Sequence, residues 1–381
     1  ETIVWIYQHF NEQEKADVFY RLYKKKQKIR PEDIPAATQL FTPRWIVKYL
    51  VQNTIGRQWM QVHPDSRLAA KLDYLVPLAG EIPAEGLKPV KEIEVLDPAC
   101  GTMHFGLVAF DLLAEMYREE MEKAGQPGWP EKPSVASQEA IPAAIIGSNI
   151  FGIDIDLRAV QLSALALYLK AKSISPKVQI TESHLACAEL QLPDDAKLEE
   201  FLKASKFTLP VYERIIRRLW SIMRGGSGKG VGSLLGLEGA ITAEVERERR
   251  AHLSSLQRYE DMADAPQELA RTAVCGPEFW DVLGDQIAMA FDHFARTQAA
   301  AGGDESYFVG EASKGMRLLD IVRQKYDCVF TNPPYMTRRN MNPELADFTE
   351  ANYPEGKGDL YTAFIQRCLE LIYGQGLLDR E

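Results

Sequence analysis

The stretch IEVLDPACGTMHF, residues 93–105, contains the features that decide the fold. Its mostly apolar start, residues 93–96, predicts a short β-strand that ends at Asp97 and Pro98. Small residues follow and lead into residues 105–120, where apolar side chains recur at the spacing of an amphipathic helix. A strand that passes through a small-residue turn into a helix is typical of the first β–α unit of an α/β protein.

The same alternation of strand and helix continues along the chain. Residues 150–154 and 178–181 predict two more strands, and a helix is predicted between them over residues 157–172. A fourth strand is predicted in the stretch DCVFTNPPY, residues 327–335, before a helix over residues 360–373. Because strands that alternate with helices form right-handed βαβ units, these elements predict an α/β fold with a parallel sheet.

The chain is predicted to divide into four regions. They are an N-terminal helical region (1–90), the first part of the α/β core (91–191), a mostly helical insertion (192–325) and the second part of the core (326–381). The insertion is too long to be a plain loop, so it is expected to form a helical subdomain or lid. The sequence begins with Glu1 and stops without an obvious closing element, so we expect it to be part of a longer protein.

A helix that begins near residue 42 is predicted within the N-terminal region. Thr42 is expected to be its N-cap, and Pro43 is expected to occupy its first position. Four large apolar side chains of this helix are expected to face inward: Trp45, Ile46, Tyr49 and Leu50.

Composition and cysteine usage exclude several classes of protein. The chain contains no apolar run near the roughly 18–20 residues that are needed to span a bilayer. Its five cysteines are scattered and form no CxxC pair, which argues against a disulfide framework or a cysteine zinc site and favours a cytoplasmic location. The six histidines show no metal-ligand spacing, so no metal site is expected.

The net charge of −10 argues against polyanion binding as a property of the whole surface. A local exception is the basic run KKKQKIR, residues 24–30, which is interpreted as a solvated helix end. If nucleic acid is the partner, most of the positive surface is expected to lie outside this run.

Two predicted strand ends carry candidate ligand-binding residues. The turn after the first strand lies where open α/β sheets bind ligands, and its small residues let backbone N–H groups approach a ligand closely. At the end of the second strand, Asp154 is placed to accept hydrogen bonds from two ribose hydroxyls, whereas Asp156 supports the start of the next helix. The alternatives are a tight turn without a ligand and a pair of helix-start acids.

The end of DCVFTNPPY is rigid. Pro333 and Pro334 fix the backbone and must end the strand, because they lack the N–H that a strand interior needs. One interpretation is a stiff turn that merely stops the strand. The other is a clamp that holds Asn332 and Tyr335 in one fixed geometry for a ligand.

Four motifs therefore follow one another: FTP (residues 41–43), DPACGT (97–102), GIDID (152–156) and NPPY (332–335). In this order they make the sequence resemble the N6-adenine DNA methyltransferases that use S-adenosylmethionine. The wider context of the first two motifs resembles more narrowly the adenine methyltransferases of BREX phage-defence systems (the PglX type). The resemblance covers most of residues 36–190 and 326–376. It implies a Rossmann-like methyltransferase sheet, methyl transfer to adenine N6 and a role in marking the host's own DNA.

The resemblance also implies where S-adenosylmethionine binds. Phe41, Thr42 and Pro43 would flank its methionine end, with Thr42 near the carboxylate. Asp154 would hold the ribose, and Ile155 would touch the adenine ring of the cofactor. The remaining cofactor-binding residues that the resemblance implies come from DPACGT: Asp97, Pro98, Ala99, Gly101 and Thr102.

For the target base, the resemblance implies that Asn332 and the Pro333 carbonyl accept hydrogen bonds from the exocyclic amine. Pro334 would keep this clamp rigid, and Tyr335 would stack on the flipped base. Two such acceptors draw the amine nitrogen towards tetrahedral geometry and expose its lone pair, so no histidine or carboxylate base is required. The implied partners are double-stranded DNA, read mainly by a module outside this sequence, and other defence-system proteins. Residues 1–381 alone are expected to bind DNA poorly.

Two departures from the family pattern keep other functions open. Met103 stands where the family usually has a second glycine, and its side chain could crowd the cofactor or weaken its binding. Residues 181–185 lack the usual Asp, for which Ser183 or His184 is a substitute unless the stretch is a plain surface loop. The alternatives are a non-catalytic DNA-binding or assembly subunit with the same fold, and methylation of an RNA base or of a protein glutamine amide.

Overall fold

The computed structural model describes residues 9, 11–40, 42–77, 88–188, 198–199, 201–203, 210–226, 234, 244–251, 286, 317–318 and 320–373. These residues fall into two compact units. The first unit contains the described residues up to 188, residue 234 and those from 324 onwards, and the second contains the rest. The four region boundaries inferred from the sequence stay predictions.

The first unit contains a four-stranded parallel sheet in the order β3-β2-β1-β4. Its strands are β1 (Val95–Asp97), β2 (Ile150–Asp154), β3 (His184–Cys187) and β4 (Cys328–Val329). Leu96 of β1 lies opposite Phe151 of β2 on one side and Val329 of β4 on the other. The predicted α/β fold with a parallel sheet is confirmed.

Helices surround this sheet and also form the region before it. The α-helices of the first unit are α1 (Glu12–Lys24), α2 (Ile34–Thr38), α3 (Arg44–Val51), α4 (Arg57–Val62), α5 (His104–Lys123), α6 (Ile141–Ala144) and α7 (Leu157–Ile174). The second unit contains α8 (Pro210–Gly226) and a helical segment at 244–251. After β4, the first unit continues with α9 (Pro343–Asn352) and α10 (Leu360–Leu371).

Short 3₁₀ and π-helical segments connect these elements. The 3₁₀ segments are Pro31–Asp33, Arg67–Lys71, Val90–Glu92, Gln138–Ala140 and Arg338–Asn340. The π turns are Gln52–Gly56 and Ile145–Asn149. No helix in the described ranges is long and apolar enough to cross a membrane.

A buried carboxylate on α5 fixes the region before the sheet. Glu119 accepts hydrogen bonds from Trp59 Nε1 at 3.0 Å, from Ser66 Oγ at 2.5 Å and from the Arg67 backbone N–H at 2.8 Å. Buried polar groups are costly unless they are paired, so these donors hold α4 and the following 3₁₀ segment against α5. This part of the N-terminal region therefore has a defined position relative to α5.

The third strand does not lie where the sequence predicted it. It was expected at residues 178–181, but β3 is His184–Cys187 and pairs with β2 from Phe151 to Asp154. Residues 185–187 form a continuous, fully buried apolar run. Such a run suits a parallel sheet covered on both faces better than the alternating pattern of 178–181 does.

The start of α3 also differs from the prediction. The helix begins at Arg44 with Pro43 as N-cap, and no side chain caps it. Trp45 and Tyr49 do not face inward, since they are 57% and 42% exposed. The fully buried positions are Val47 and Val51, because this i, i+4 pair forms the stripe by which α3 packs against α5.

Candidate active site

The turn after β1 closes over a buried carboxylate. The Ala99 N–H donates to Asp97 Oδ1 at 3.2 Å, and the Asp97 side chain is almost inaccessible to solvent. Burial raises the pKa of Asp97 to about 7, although the nearby Thr331 hydroxyl and the hydrogen bond from the Ala99 N–H lower the pKa. The contact with Thr331 joins the DPACGT turn to the residue that precedes NPPY.

Gly101 and Asp154 join the ends of the first two strands. The Gly101 N–H donates to Asp154 Oδ2 at 2.8 Å, while Asp154 Oδ1 accepts the Asp156 N–H at 2.8 Å. Gly101 has φ +54°, a conformation that glycine adopts without the steric cost of a side chain. Burial raises the pKa of Asp154 to about 6. Asp156 caps α7 by accepting the Arg158 N–H at 2.9 Å, as predicted.

Met103 follows the same turn, and its side chain points into the core. It is fully buried and has φ +66°. A Cβ atom on Gly106 would lie 2.2 Å from Met103 Sδ, and one on Gly152 would lie 2.7 Å from Met103 Cε. The methionine therefore occupies space that these two glycines leave between α5 and β2.

Thr42 and Asn332 bring the first and last motifs together. Asn332 Nδ2 donates to Thr42 Oγ1 at 2.9 Å and to the Leu40 carbonyl at 3.3 Å. Because a carbonyl can only accept, the amide NH₂ must face Leu40, and Oδ1 is the end left for another donor. Within the described part of the chain, Oδ1 accepts no hydrogen bond. Phe41, the first residue of FTP, follows Leu40 in the sequence and lies outside the described residues.

The segment that carries Leu40 is itself anchored to the N-terminal helix. Asn11 Nδ2 donates to Gln39 Oε1 at 3.1 Å, and Lys15 Nζ donates to the Gln39 carbonyl at 2.6 Å. Both donors lie on or directly before α1. The position of the Asn332 amide thus depends on contacts that extend back to α1.

The strand β4 delivers NPPY to the carboxyl edge of the sheet. The Phe330 N–H continues the ladder by donating to the Leu96 carbonyl at 3.1 Å, and the Phe330 ring stacks on Phe105 at 5.7 Å. Pro333 is buried and Pro334 is half-buried directly beyond this anchor. Because β4 lies beside β1 and runs parallel to it, NPPY and DPACGT lie at the same edge of the sheet.

Two tyrosines stack at this edge. The Tyr335 and Tyr361 rings are nearly parallel, at an interplanar angle of 11°, with centroids 5.4 Å apart. They are 52% and 38% exposed. Asp359 Oδ1 accepts both the Met336 N–H at 3.2 Å and the Tyr361 N–H at 3.0 Å, so one carboxylate orders the backbone beside each ring.

Tyr361 and Asp359 were not among the predicted site residues. The available signal was the sequence DLY at the start of the last helix, where an N-cap acid stands directly before two apolar residues. Sequence spacing could not indicate that this helix start lies beside NPPY.

Ser183 and His184 lie at the wrong end of the third strand to substitute for an acid at the site. His184 begins β3, its Nε2 is hydrogen-bonded to the Gly147 carbonyl at 2.9 Å, and its ring stacks on Phe151. The carboxyl end of β3 carries Cys187 and Ala188 instead, and the Ala188 N–H donates to the Asp154 carbonyl at 2.8 Å. The expected substitution was wrong because the strand was misplaced.

Comparison with known proteins places the chain in a family. Residues 148–379 match the family Eco57I restriction-modification methylase. The chain is 30% identical over 390 residues to the adenine-specific methyltransferase BrxX of Escherichia coli O9:H4 (strain HS). It is 29% identical over 391 residues to the adenine-specific methyltransferase PglX of Lacticaseibacillus casei (strain Zhang). Each comparison covers 99% of this chain but 28% and 27% of the two relatives, respectively. The chain belongs to the Eco57I restriction-modification methylase family.

Proposed function

We propose that this chain transfers a methyl group from S-adenosylmethionine to N6 of an adenine that is flipped out of double-stranded DNA. The observation that carries the proposal is the fixed orientation of Asn332, whose NH₂ end is held by Thr42 and Leu40. This leaves the Oδ1 acceptor available beside a rigid Pro333-Pro334 segment. The names of both relatives, which describe adenine-specific methyltransferases, support the same reaction.

The residues at the first two strand ends fit the cofactor. A Cβ atom on Gly101 would meet no atom within 4 Å, so the turn is open on that side. Each Asp154 oxygen already accepts one backbone N–H and retains a second lone pair, which suits two ribose hydroxyls. When bound, the cofactor supplies an electrophilic methyl group on a positively charged sulfur.

The remaining cofactor contacts are proposed from the family motifs. Thr42 and Pro43 would lie near the methionine end together with Phe41, and Ile155 would touch the adenine ring of the cofactor. The residues proposed to line the methionine moiety are Asp97, Pro98, Ala99, Gly101 and Thr102. The buried position of Met103 removes the expected crowding of this site by its side chain.

The target amine would be held by Asn332 Oδ1 and the Pro333 carbonyl. Adenine N6 is a weak nucleophile because its lone pair is delocalised into the ring. Two acceptors on its N–H groups localise that lone pair, and a fixed geometry directs it at the methyl group. Tyr335 would stack on the flipped base, which compensates part of the cost of unstacking it from the duplex.

A non-catalytic DNA-binding or assembly subunit is the second candidate. It was favoured by Met103 and by the lack of the usual Asp in residues 181–185. Met103 packs in the core, which weakens the first argument, and residues 181–185 precede and open β3 rather than following a strand. The lack of the usual Asp still favours this alternative, since the described end of β3 carries Cys187 and Ala188. An RNA base or a protein glutamine amide also presents a planar NH₂ group that two acceptors could bind. Both stay alternative substrates.

Sequencing that detects N6-methyladenine in DNA tests the proposal. Cells with the protein are expected to carry methylated adenines that are lost on deletion and on Asn332→Ala substitution. Asn352→Ala is the matched control, since among the described residues this exposed amide bonds only the Phe348 carbonyl in α9, and its loss should leave methylation unchanged. An identical methylome with wild-type protein and Asn332→Ala would defeat the proposal. Calorimetric titration with S-adenosylmethionine separates the second candidate, which predicts no measurable binding.

We further propose that the methylation marks host DNA in a BREX-like phage-defence system in the cytoplasm. The proposal rests on the sequence around FTP and DPACGT and on the similarity to BrxX and PglX. It implies that other defence-system proteins are partners, and that a module outside residues 1–381 reads most of the DNA sequence. Co-purification of the tagged protein with such partners tests it, and recovery of the protein alone would contradict it.

A further inference from the structure

An exposed group of lysines lies close to the NPPY segment. We call it the basic loop: Lys24 at the end of α1, and Lys25, Lys26 and Lys28 directly after it. All four side chains are exposed, and none forms an ion pair with a described carboxylate. The flanking arginines differ, since Arg21 and Arg30 both bind the buried Asp33, at 2.7 and 2.8 Å.

The loop has a defined conformation. Asp33 ties its two ends together through the flanking arginines, and the Gln27 N–H donates to the Arg21 carbonyl at 3.2 Å. Ile29 is buried, and its N–H donates to the Asn340 carbonyl at 3.1 Å. This bond attaches the basic loop to the Arg338–Asn340 segment, which begins three residues after Tyr335.

Arg339 adds a further positive charge on the Arg338–Asn340 segment, to which Ile29 is hydrogen-bonded. Its side chain is exposed and has no carboxylate partner among the described residues, whereas Arg338 binds Glu350. Four lysines and one arginine on two segments joined by the Ile29–Asn340 hydrogen bond thus form no ion pair with a described carboxylate, on a chain whose net charge is −10.

Helix stability does not account for this charge. A cation in the last turn complements the helix dipole, and this explains Lys24, but Lys25, Lys26 and Lys28 follow the helix. Lys26 has φ +56°, a position after a helix where glycine is preferred. A lysine there adds positive charge at the expense of backbone preference.

We propose that the basic loop and Arg339 bind backbone phosphates of DNA beside the flipped adenine. The inference rests on the proposed function, because proximity to Tyr335 matters only if that ring receives a base. Phosphate contacts fix the register of a duplex without reading its sequence. A local cation cluster supplies them on an otherwise acidic chain, while sequence reading stays with a separate module.

The test measures DNA binding as a function of salt, by fluorescence anisotropy with a labelled mixed-sequence duplex. The variant combines Lys24→Gln, Lys25→Gln, Lys28→Gln and Arg339→Gln. The matched control removes the same charge from exposed or half-exposed lysines in the first unit, at or between elements on the amino side of the sheet: Lys91→Gln, Lys123→Gln, Lys132→Gln and Lys177→Gln. Both variants have the same net charge, so any difference between them is local. Circular dichroism melts verify that both variants fold.

Each lost phosphate contact lowers the slope of log affinity against log salt concentration by about 0.9. For the basic-loop variant, we expect the magnitude of this slope to be smaller by about three to four than for the wild type. Its affinity at low salt should be at least about tenfold weaker. The control should follow the wild-type line. Parallel lines for the wild type and the basic-loop variant would overturn the proposal, and would point to an acidic protein as the partner of this surface.

The assay needs no catalysis, so it is independent of the proposed reaction. If wild-type protein shows the steep, loop-dependent slope but transfers no methyl group, the proposed function fails and the phosphate site stands. If methyl transfer occurs and the slopes are equal, the reaction stands and the phosphate site is refuted.

Discussion

The side-chain amide of Asn332 donates a 2.9 Å hydrogen bond to Thr42 Oγ1, across 290 positions of sequence. A residue expected to bind the cofactor thus also orients the residue expected to bind the target base. Since the Leu40 carbonyl receives the same NH₂ group, the amide has one favourable orientation, and its oxygen accepts no hydrogen bond from any residue that the structure describes. This relationship makes Thr42 a positioning residue for Asn332.

Removal of the Thr42 acceptor should therefore slow methyl transfer. Thr42→Val keeps the shape of the side chain but cannot accept the Asn332 N–H, so we expect kcat to fall about two- to tenfold, the range of one hydrogen bond of about 0.5–1.5 kcal/mol. Thr42→Ser keeps the hydroxyl and should retain activity. Steady-state kinetics and calorimetric cofactor affinity separate the effects. An unchanged kcat with weaker cofactor binding would show that Thr42 acts on the cofactor alone.

Tyr361 should support base binding through Tyr335. A stacked aromatic pair contributes about 0.5–1.5 kcal/mol, so Tyr361→Ala is expected to raise the KM for DNA about two- to tenfold. Tyr335→Ala should raise it more, because base stacking contributes about 1–3 kcal/mol. Tyr361→Phe keeps the ring and serves as the control. Equal KM values for wild type and Tyr361→Ala would exclude this supporting role.

The packing of Met103 should make Gly106 intolerant of a side chain. A Cβ at Gly106 would overlap Met103 Sδ, so Gly106→Ala is expected to lower the free energy of unfolding by about 1–3 kcal/mol. Gly147→Ala is the control, because a Cβ there meets no atom within 4 Å. Urea denaturation midpoints report both. A combined Met103→Ala, Gly106→Ala variant should show coupling between the two sites, and strict additivity would contradict this packing.

Cofactor binding should depend on the ionisation of Asp154. Burial raises the pKa of this carboxyl to about 6 from an ordinary value of 3.8. A carboxylate accepts both ribose hydroxyls and the neutral acid does not, so affinity should weaken about tenfold per pH unit below about pH 6. Calorimetry at several pH values measures this, with Asp154→Asn as the variant that should lose the dependence. A flat profile for wild-type protein would contradict the assigned role.

The raised pKa of Asp154 also makes the stability of the fold depend on pH, in the direction opposite to that of cofactor affinity. Because the folded protein holds the proton on Asp154 more tightly than the unfolded chain does, this group stabilises the fold fully below its ordinary pKa of 3.8. The contribution is lost as pH rises through about 6. Thermal melts of wild type and Asp154→Asn should therefore converge as pH falls, while their cofactor affinities also converge because the wild type loses its carboxylate.

The fold could be predicted where local signals agree. IEVLDPACGT and IFGID each combine an apolar strand with an acid and small residues at its end, and both strands lie where they were predicted. The third strand was misplaced because residues 178–181 and 185–187 are both plausible strands. The pairing of Phe151 with His184 decided between them, and pairing is a property of the neighbouring strand rather than of the segment itself.

By itself, the sequence determined the alternation of strands and helices, the order of the four motifs and the family that this order indicates. Those properties depend on residue type and spacing along the chain. Tertiary structure decided that Thr42 holds Asn332, that Tyr361 stacks on Tyr335, and that Met103 packs between Gly106 and Gly152. It also decided that the chain directly after the basic loop is hydrogen-bonded to the Arg338–Asn340 segment, which follows NPPY. Each of these contacts joins different elements of the chain, and their proximity follows from the way the helices and loops pack around one sheet edge.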